Sequence, residues 1–255
     1  MTALVHYSVE NGVARLTLDS PHNRNAISTA LVDQLRQGLT DAADDAGVRV
    51  VVLGHTGGTF CAGADLSEAA GRDPGDLATA RALEAAGLLR SILELPVPVI
   101  AAIDGHVRAG GMGLIGACDL VVAGTASTFA LTEARIGVAP SIISLTLLPK
   151  MTARAAGRYF VTGEKFGAEE AERIGLVTVA TDDVPATVAK LTDEITKGSP
   201  QGLAASKALT TASILADFDR DAEKLAKQSA QLFVSDEARE GMMAFLQKRQ
   251  PNWNK

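Results

Sequence analysis

VRVVVLGHTGGTFCAGADL, residues 48–66, decides the architecture. Val48–Leu53 is an almost unbroken β-branched run, the pattern of a strand buried on both faces. Residues 54–64 (GHTGGTFCAGA) are rich in glycine and predict a loop. The same sequence of signals recurs downstream. Pro96 and Pro98 stop a helical stretch (76–95), a strand follows over Val99–Asp104, and a second glycine-rich piece, Gly105–Gly116, leads into a strand at Asp119–Ala123.

Upstream, residues 13–19 (VARLTLD) alternate apolar and polar and predict a strand. Pro21, His22 and Asn23 make a turn, and Ser28 is suited to cap an amphipathic helix running to Ala46. Phe129–Leu131 predicts a short strand before a turn at Gly137–Pro140. Helical patterns dominate from Thr152 onward, over 152–162, 168–174, 184–197, 202–212, 214–234 and 236–247, with one strand at Leu176–Thr181. The expectation is an α/β core over 1–198 and a C-terminal helical region over 199–255. The apolar faces of those last helices suit subunit contact.

Composition narrows the function. A chain of 255 residues with net charge −6 and 47% hydrophobic residues can close a full core, and its acidic balance argues against nucleic-acid binding. Cys61 and Cys118 stand far apart, and His6, His22, His55 and His106 are scattered, so neither a disulfide framework nor a metal site is expected. No signal peptide or membrane span is read, so a cytoplasmic location is expected. Neither glycine-rich piece carries a nucleotide-binding fingerprint.

What the glycine-rich pieces could do is aim backbone. Gly110–Gly111 falls where a helix should start after a strand, and first-turn N–H groups have no partner within a helix. Two such loops at neighbouring strand ends could point two N–H donors at one oxygen, the layout of an oxyanion hole.

Several motifs then carry a resemblance. Pro21-His22-Asn23-Arg24-Asn25-Ala26-Ile27, Phe60-Cys61-Ala62-Gly63-Ala64-Asp65-Leu66, and Asp104-Gly105 with Ala109-Gly110-Gly111 and Ala117-Cys118-Asp119 follow one another in order. Phe129, Glu133, Gly137 and Pro140 come next, and Glu240-Gly241, Ala244-Phe245, Lys248-Arg249, Pro251 and Trp253 close the chain. Together they resemble the enoyl-CoA hydratase/isomerase (crotonase) superfamily over nearly the whole length. The resemblance implies a spiral of ββα units with C-terminal helices at a trimer interface, as a homotrimer or a dimer of trimers. It implies an acyl-CoA thioester substrate, with coenzyme A arriving as part of the substrate and no separate cofactor. Ala64 and Gly110 would donate the oxyanion-hole N–H groups. Ala62, Asp65, Leu66 and Gly111 would line the substrate-binding side, and Glu133 would serve as acid/base.

One departure bears on the reaction. Hydratases of this superfamily typically use two glutamates; Glu133 matches the second, but Gly113 stands at the first. Ser141-Ile142-Ile143-Ser144 also replaces a stretch that is often glycine-rich. Three readings follow: hydration of a 2-enoyl-CoA with Glu133 alone, isomerisation of an enoyl-CoA by Glu133, or acyl-CoA binding without chemistry. Residues 110–115 and 133–143 resemble a subgroup associated with branched or glutaconyl-type CoA hydration, which favours the first. A glutamate introduced at 113 is expected to raise hydration if the pocket has room for it. Outside the resemblance, Glu133 reads as an exposed carboxylate beside Arg135, and Arg108 and Arg135 as partners of surface carboxylates in preference to binders of an acidic acyl group. Asp119 reads as a buried structural acid or a helix-end partner, Asp65 as a first-turn acid, and the cysteines as core residues. A peptidase of related architecture is disfavoured because no serine stands in a nucleophile turn near His106. The acyl preference would depend on how residues 67–90 and 141–150 cover the pocket.

Overall fold

The computed structural model describes residues 3–69 and 74–254. The chain opens with a hairpin of β1 (Val5–Glu10) and β2 (Val13–Leu18). Asn11 and Gly12 both take positive φ (52° and 79°), as a two-residue primed turn requires. This first strand was not expected from the sequence, because five of its six side chains are exposed and leave no buried stripe. Helix α1 (Thr29–Asp44) begins where Ser28 predicts, with the Ser28 hydroxyl accepting from the Leu31 N–H at 3.3 Å.

From there each turn of the chain gives one strand to each of two sheets, and then a helix. The first turn is β3 (Val50–His55), β4 (Thr59–Cys61) and α2 (Pro74–Glu94). The second is β5 (Val99–Ile103), β6 (His106–Arg108) and α3 (Gly110–Ala117). The third is β7 (Leu120–Gly124), β8 (Thr128–Ala130), the short α4 (Ser144–Leu147) and α5 (Ala153–Thr162). Then come β9 (Phe166–Gly167), α6 (Ala168–Arg173), β10 (Val179–Thr181) and α7 (Val184–Thr196). One sheet runs β1-β2-β3-β5-β7-β10, parallel except at the hairpin; the other runs β4-β6-β8-β9, parallel except at β9.

The β-branched run does what a doubly buried strand should. Val51 and Leu53 enter the main core, while Val50 and Val52 enter a second apolar layer with Ile100, Val122, Val184 and Val188 under α7. Burying each such side chain contributes about 1.5–3 kcal/mol. The glycine-rich pieces hold strands that were not expected, β4 in the first and β6 in the second, while α3 starts at Gly110, where a helix start was expected.

Helix α8 (Pro200–Phe233) is continuous, where two helices were expected. Its Ser199 cap starts it, and nothing at 213 can break it, since Ser213 lacks the backbone constraint of proline. It packs along α2 and sends Ile214, Phe218 and Ala226 into the main core. Buried Lys207 fixes its position: its Nζ stands 2.8 Å from Asp119 and donates to the carbonyls of Ile92 and Val97. Asp119 also accepts from the Val99 N–H, so it is the structural acid expected. Helix α9 (Asp236–Leu246) closes the chain. No described helix is long and apolar enough to cross a membrane.

Candidate active site

Three parallel strands of the small sheet, β4, β6 and β8, end side by side. The carboxyl ends of such strands are where α/β sheets take their ligands. The chain leaves them towards Ala64, Gly110 and Glu133 respectively.

The first loop is held by the N-terminal motif. The Ala62 N–H donates to Arg24 O (3.1 Å), Ile27 N–H to Gly63 O (2.7 Å), and Asp65 N–H to Ile27 O (3.0 Å). Asn25, fully buried and at φ 52°, locks this arrangement, its side-chain amide donating to Thr56 O and Thr59 O and its oxygen accepting from Ser20 N–H. Because Gly63 and Asp65 both face Ile27, backbone alternation turns the Ala64 N–H to the other side. It has no acceptor among the described residues.

Gly110 is the first residue of α3, and its N–H likewise has no acceptor among the described residues. Ala109 before it is held at φ 47°, ψ −122°, a conformation a residue with a Cβ rarely adopts, by its N–H bond to Ala130 O. The two loops touch. A Cβ built on Gly63 would stand 3.2 Å from the Gly110 nitrogen, and one built on Gly110 would stand 3.7 Å from the Ala64 nitrogen. Two N–H groups without acceptors therefore lie on loops in contact with one another, and a pair aimed at one point can hold a developing oxyanion.

The residues expected to line the binding side are arranged as follows. The N–H groups of Ala62 and Asp65 are used in holding the loop. The Asp65 carboxylate accepts from Ser67 and from Asn23, which lowers its pKa, and it caps the 3₁₀ turn that Leu66 opens. Gly111 faces Cys61, where an added Cβ would sit 2.7 Å from the cysteine Cβ. Of the 67–90 segment expected to cover the acyl chain, residues 70–73 lie outside the described ones.

Glu133 is not the exposed carboxylate that its neighbours suggested. It is 9% exposed, its Oε2 has no partner, and burial pushes its pKa up to about 7, partly offset by a bond from its own backbone N–H. Arg135 does not pair with it, because the Arg135 guanidinium donates to Thr162 O. Nor does Arg108 meet a carboxylate: it donates to Val107 O, Thr128 O and the Thr128 hydroxyl. The 3₁₀ turn Glu133–Ile136 that carries the carboxyl is braced by α9. Gly137 and Gly241 permit this approach, since a Cβ on Gly137 would lie 2.7 Å from Glu237 C and one on Gly241 2.5 Å from Ile136 C.

The room conditionally expected at position 113 is absent. A Cβ there would come within 2.4 Å of Ile143 Cγ2, 2.9 Å of Ile143 Cβ and 3.3 Å of Leu89 Cδ1. Ile143, thirty residues away in sequence, fills the space a side chain at 113 would need. Gly113→Glu is therefore expected to destabilise the fold rather than restore a second carboxylate. Overpacking costs about 1–3 kcal/mol and an unpaired buried carboxylate adds to it. The thermal midpoint should fall by about 5 °C or more, with no gain in hydration. A variant as stable as wild type with faster hydration would contradict this.

No cluster of His, Cys, Asp and Glu able to hold a metal occurs among the described residues. Burial pushes both cysteine thiols up to about 12, so they are unreactive core residues.

Residues 8–255 match the family model described as Enoyl-CoA hydratase/isomerase. The chain is 34% identical over 257 residues to a Rhodobacter capsulatus protein named "Probable enoyl-CoA hydratase", covering 98% of this chain and 97% of that one. It is 31% identical over 261 residues to the carnitinyl-CoA dehydratase of Proteus mirabilis, covering 99% of both. The crystal structure of an enoyl-CoA hydratase from Mycobacterium avium superposes with a TM-score of 0.93 at 66% identity, over 99% of this chain and 100% of that one. Together with the spiral of paired strands and the whole-length run of motifs, these matches identify the chain as a member of the enoyl-CoA hydratase/isomerase family.

Proposed function

We propose that the protein hydrates a 2-enoyl-CoA thioester, with Glu133 as its only side-chain acid/base. The thioester oxygen accepts the N–H groups of Ala64 and Gly110, while Ala62, Asp65, Leu66 and Gly111 border the bound acyl-CoA. The Glu133 carboxylate takes one proton from a water molecule as the water oxygen bonds to the β-carbon. The π pair of the double bond moves towards the carbonyl, and the negative charge that forms on its oxygen meets the two N–H groups. Glu133 then returns the proton to the α-carbon and the thioester is restored. H and OH have been added across the double bond, and Glu133 is regenerated.

The observation that carries this reading is the buried carboxyl of Glu133, its Oε2 without a partner, at the same strand ends as two N–H groups without acceptors. Its pKa, about 7, leaves the carboxylate populated near neutral pH to act as base and makes it a stronger base than an ordinary carboxylate, while the acid it becomes can still return the proton. Isomerisation is the second reading, favoured by the absence of a carboxylate at Gly113: moving a proton between the α- and γ-carbons needs one carboxylate and no water. Assembly as a homotrimer or a pair of trimers and a cytoplasmic location belong to the same proposal. Exposed Leu148, Val161 and Leu209 offer apolar surface for such assembly.

Incubation with a panel of 2-enoyl- and 3-enoyl-CoA esters tests the reading. The expected product is the 3-hydroxyacyl-CoA. Conversion of 3-enoyl to 2-enoyl esters without hydration would establish the second reading instead, and binding with no turnover would exclude both.

A further inference from the structure

Ser141 is 7% exposed, and its hydroxyl has no hydrogen-bond partner. Its main chain is engaged: its N–H donates to Ala139 O (2.8 Å), and its carbonyl accepts from the Ser144 hydroxyl (2.6 Å). The hydroxyl alone is idle. Among the described residues, only Glu133 Oε2 and Arg36 Nε share that condition. Two of these three atoms thus lie within one stretch of the chain, between β8 and α4.

The path of that stretch matters. After Glu133 the backbone turns back, with Val138 N–H donating to Glu133 O at 3.1 Å, and then docks on α3 through Ile143 against Gly113. Gly113 lies about one helical turn beyond Gly110, the α3 donor. Ser141 therefore occupies the short span that joins the turn of the carboxyl to the helix of the oxyanion donor. A buried hydroxyl without a partner costs free energy in the fold, and such groups either receive a water or serve a ligand.

We propose that the Ser141 hydroxyl holds the reacting water together with Glu133, supplying the second polar contact that Gly113 cannot provide. This rests on the hydratase reading above. Ser141 forms and breaks no covalent bond: it accepts from, or donates to, the water while Glu133 moves the proton.

The test uses the 2-enoyl-CoA ester that the wild type hydrates and measures kcat, KM and the thermal midpoint of Ser141→Ala. The expected result is a fall in kcat of about tenfold to a hundredfold, the loss of one well-placed hydrogen bond or somewhat more. KM should stay within about threefold, because the acyl-CoA is held elsewhere. The midpoint should stay level or rise, since an unpartnered buried hydroxyl has been removed. A merely structural serine would give the reverse, a lowered midpoint with kcat intact, and that result overturns the assignment. Ser141→Gly also lacks the hydroxyl and adds no atom, so it must show the same loss; full kcat in either folded variant is decisive against Ser141. A wild type that hydrates no 2-enoyl ester removes the hydratase reading before any variant is made. A wild type that hydrates while both variants keep its rate removes only the role of Ser141.

Discussion

Glu133→Gln should lower turnover by about 10²–10⁴, the usual cost of losing a positioned acid/base. Glutamine keeps the size of the side chain but cannot carry the proton. Binding of a saturated acyl-CoA, measured by calorimetry, should stay close to wild type, because Ala64, Gly110 and the loop around Asp65 are untouched. The same substitution should alter how stability depends on pH, and the sign follows from the raised pKa. A carboxyl at about 7 in the fold, against an ordinary 4.5, favours the neutral form when folded. Its contribution is fully present below about pH 4.5 and is lost as pH rises through 7; the difference is about 3 kcal/mol. Wild type should therefore lose thermal stability between pH 5 and 8 more steeply than Glu133→Gln. Parallel melting profiles would mean that the carboxyl is not buried as described, and full activity would move the proton transfer to another residue.

Gly110→Pro should lower kcat by about 10²–10³, corresponding to about 2.7–4 kcal/mol for one lost donor to an oxyanion. Position 110 is the first residue of α3, where proline fits the helix and the missing N–H breaks no internal bond. The strain falls on Ala109, whose ψ of −122° suits a residue before proline poorly. Gly110→Ala separates the two effects. It keeps the N–H, and its Cβ would meet the end of the Ile27 side chain at 3.1 Å, which a small movement relieves. The alanine variant should retain kcat within about tenfold while the proline variant, folded by thermal melt, does not. Equal activity in both would remove the Gly110 N–H from the mechanism.

The centre of the large sheet, β3, β5 and β7, was legible because these strands are buried on both faces, and β-branched runs such as Val50–Leu53 announce that directly, whereas the exposed edge strand β1 gave no such signal. Of the small sheet only β8 was legible, through Phe129–Leu131. The others are three residues or fewer, set among glycines whose local signal is loop, and their pairing is long-range. The start of helix α3 at Gly110 was legible from the glycine pair after a strand; that its glycines reflect close packing against Cys61 and Ile143 was not, since no local pattern encodes it. For the site, the glycine at 113 and the unusual Ser141–Ser144 stretch were visible as letters. That the two are one feature, with Ile143 filling the space beside Gly113, could not be read from positions thirty apart. The burial of Glu133 was hidden too, since Arg135 beside it suggested an ion pair that the fold directs instead to Thr162 O.

The contact between Gly113 and Ile143 acts as a ratchet in sequence space. Placing a glutamate at 113 first collides with Ile143. Trimming Ile143 first leaves a void beside Leu89 and costs about 2–5 kcal/mol, a large share of the stability of a typical domain. Alanine at 143 does not clear the way either, because the Ile143 Cβ itself lies 2.9 Å from where the new Cβ would stand. Only glycine at 143 does, so a second carboxylate is two simultaneous changes away and both single steps lead downhill in stability. A site with one carboxylate is in this chain a local optimum, and directed evolution by single substitutions should leave it in place while altering the pocket around it.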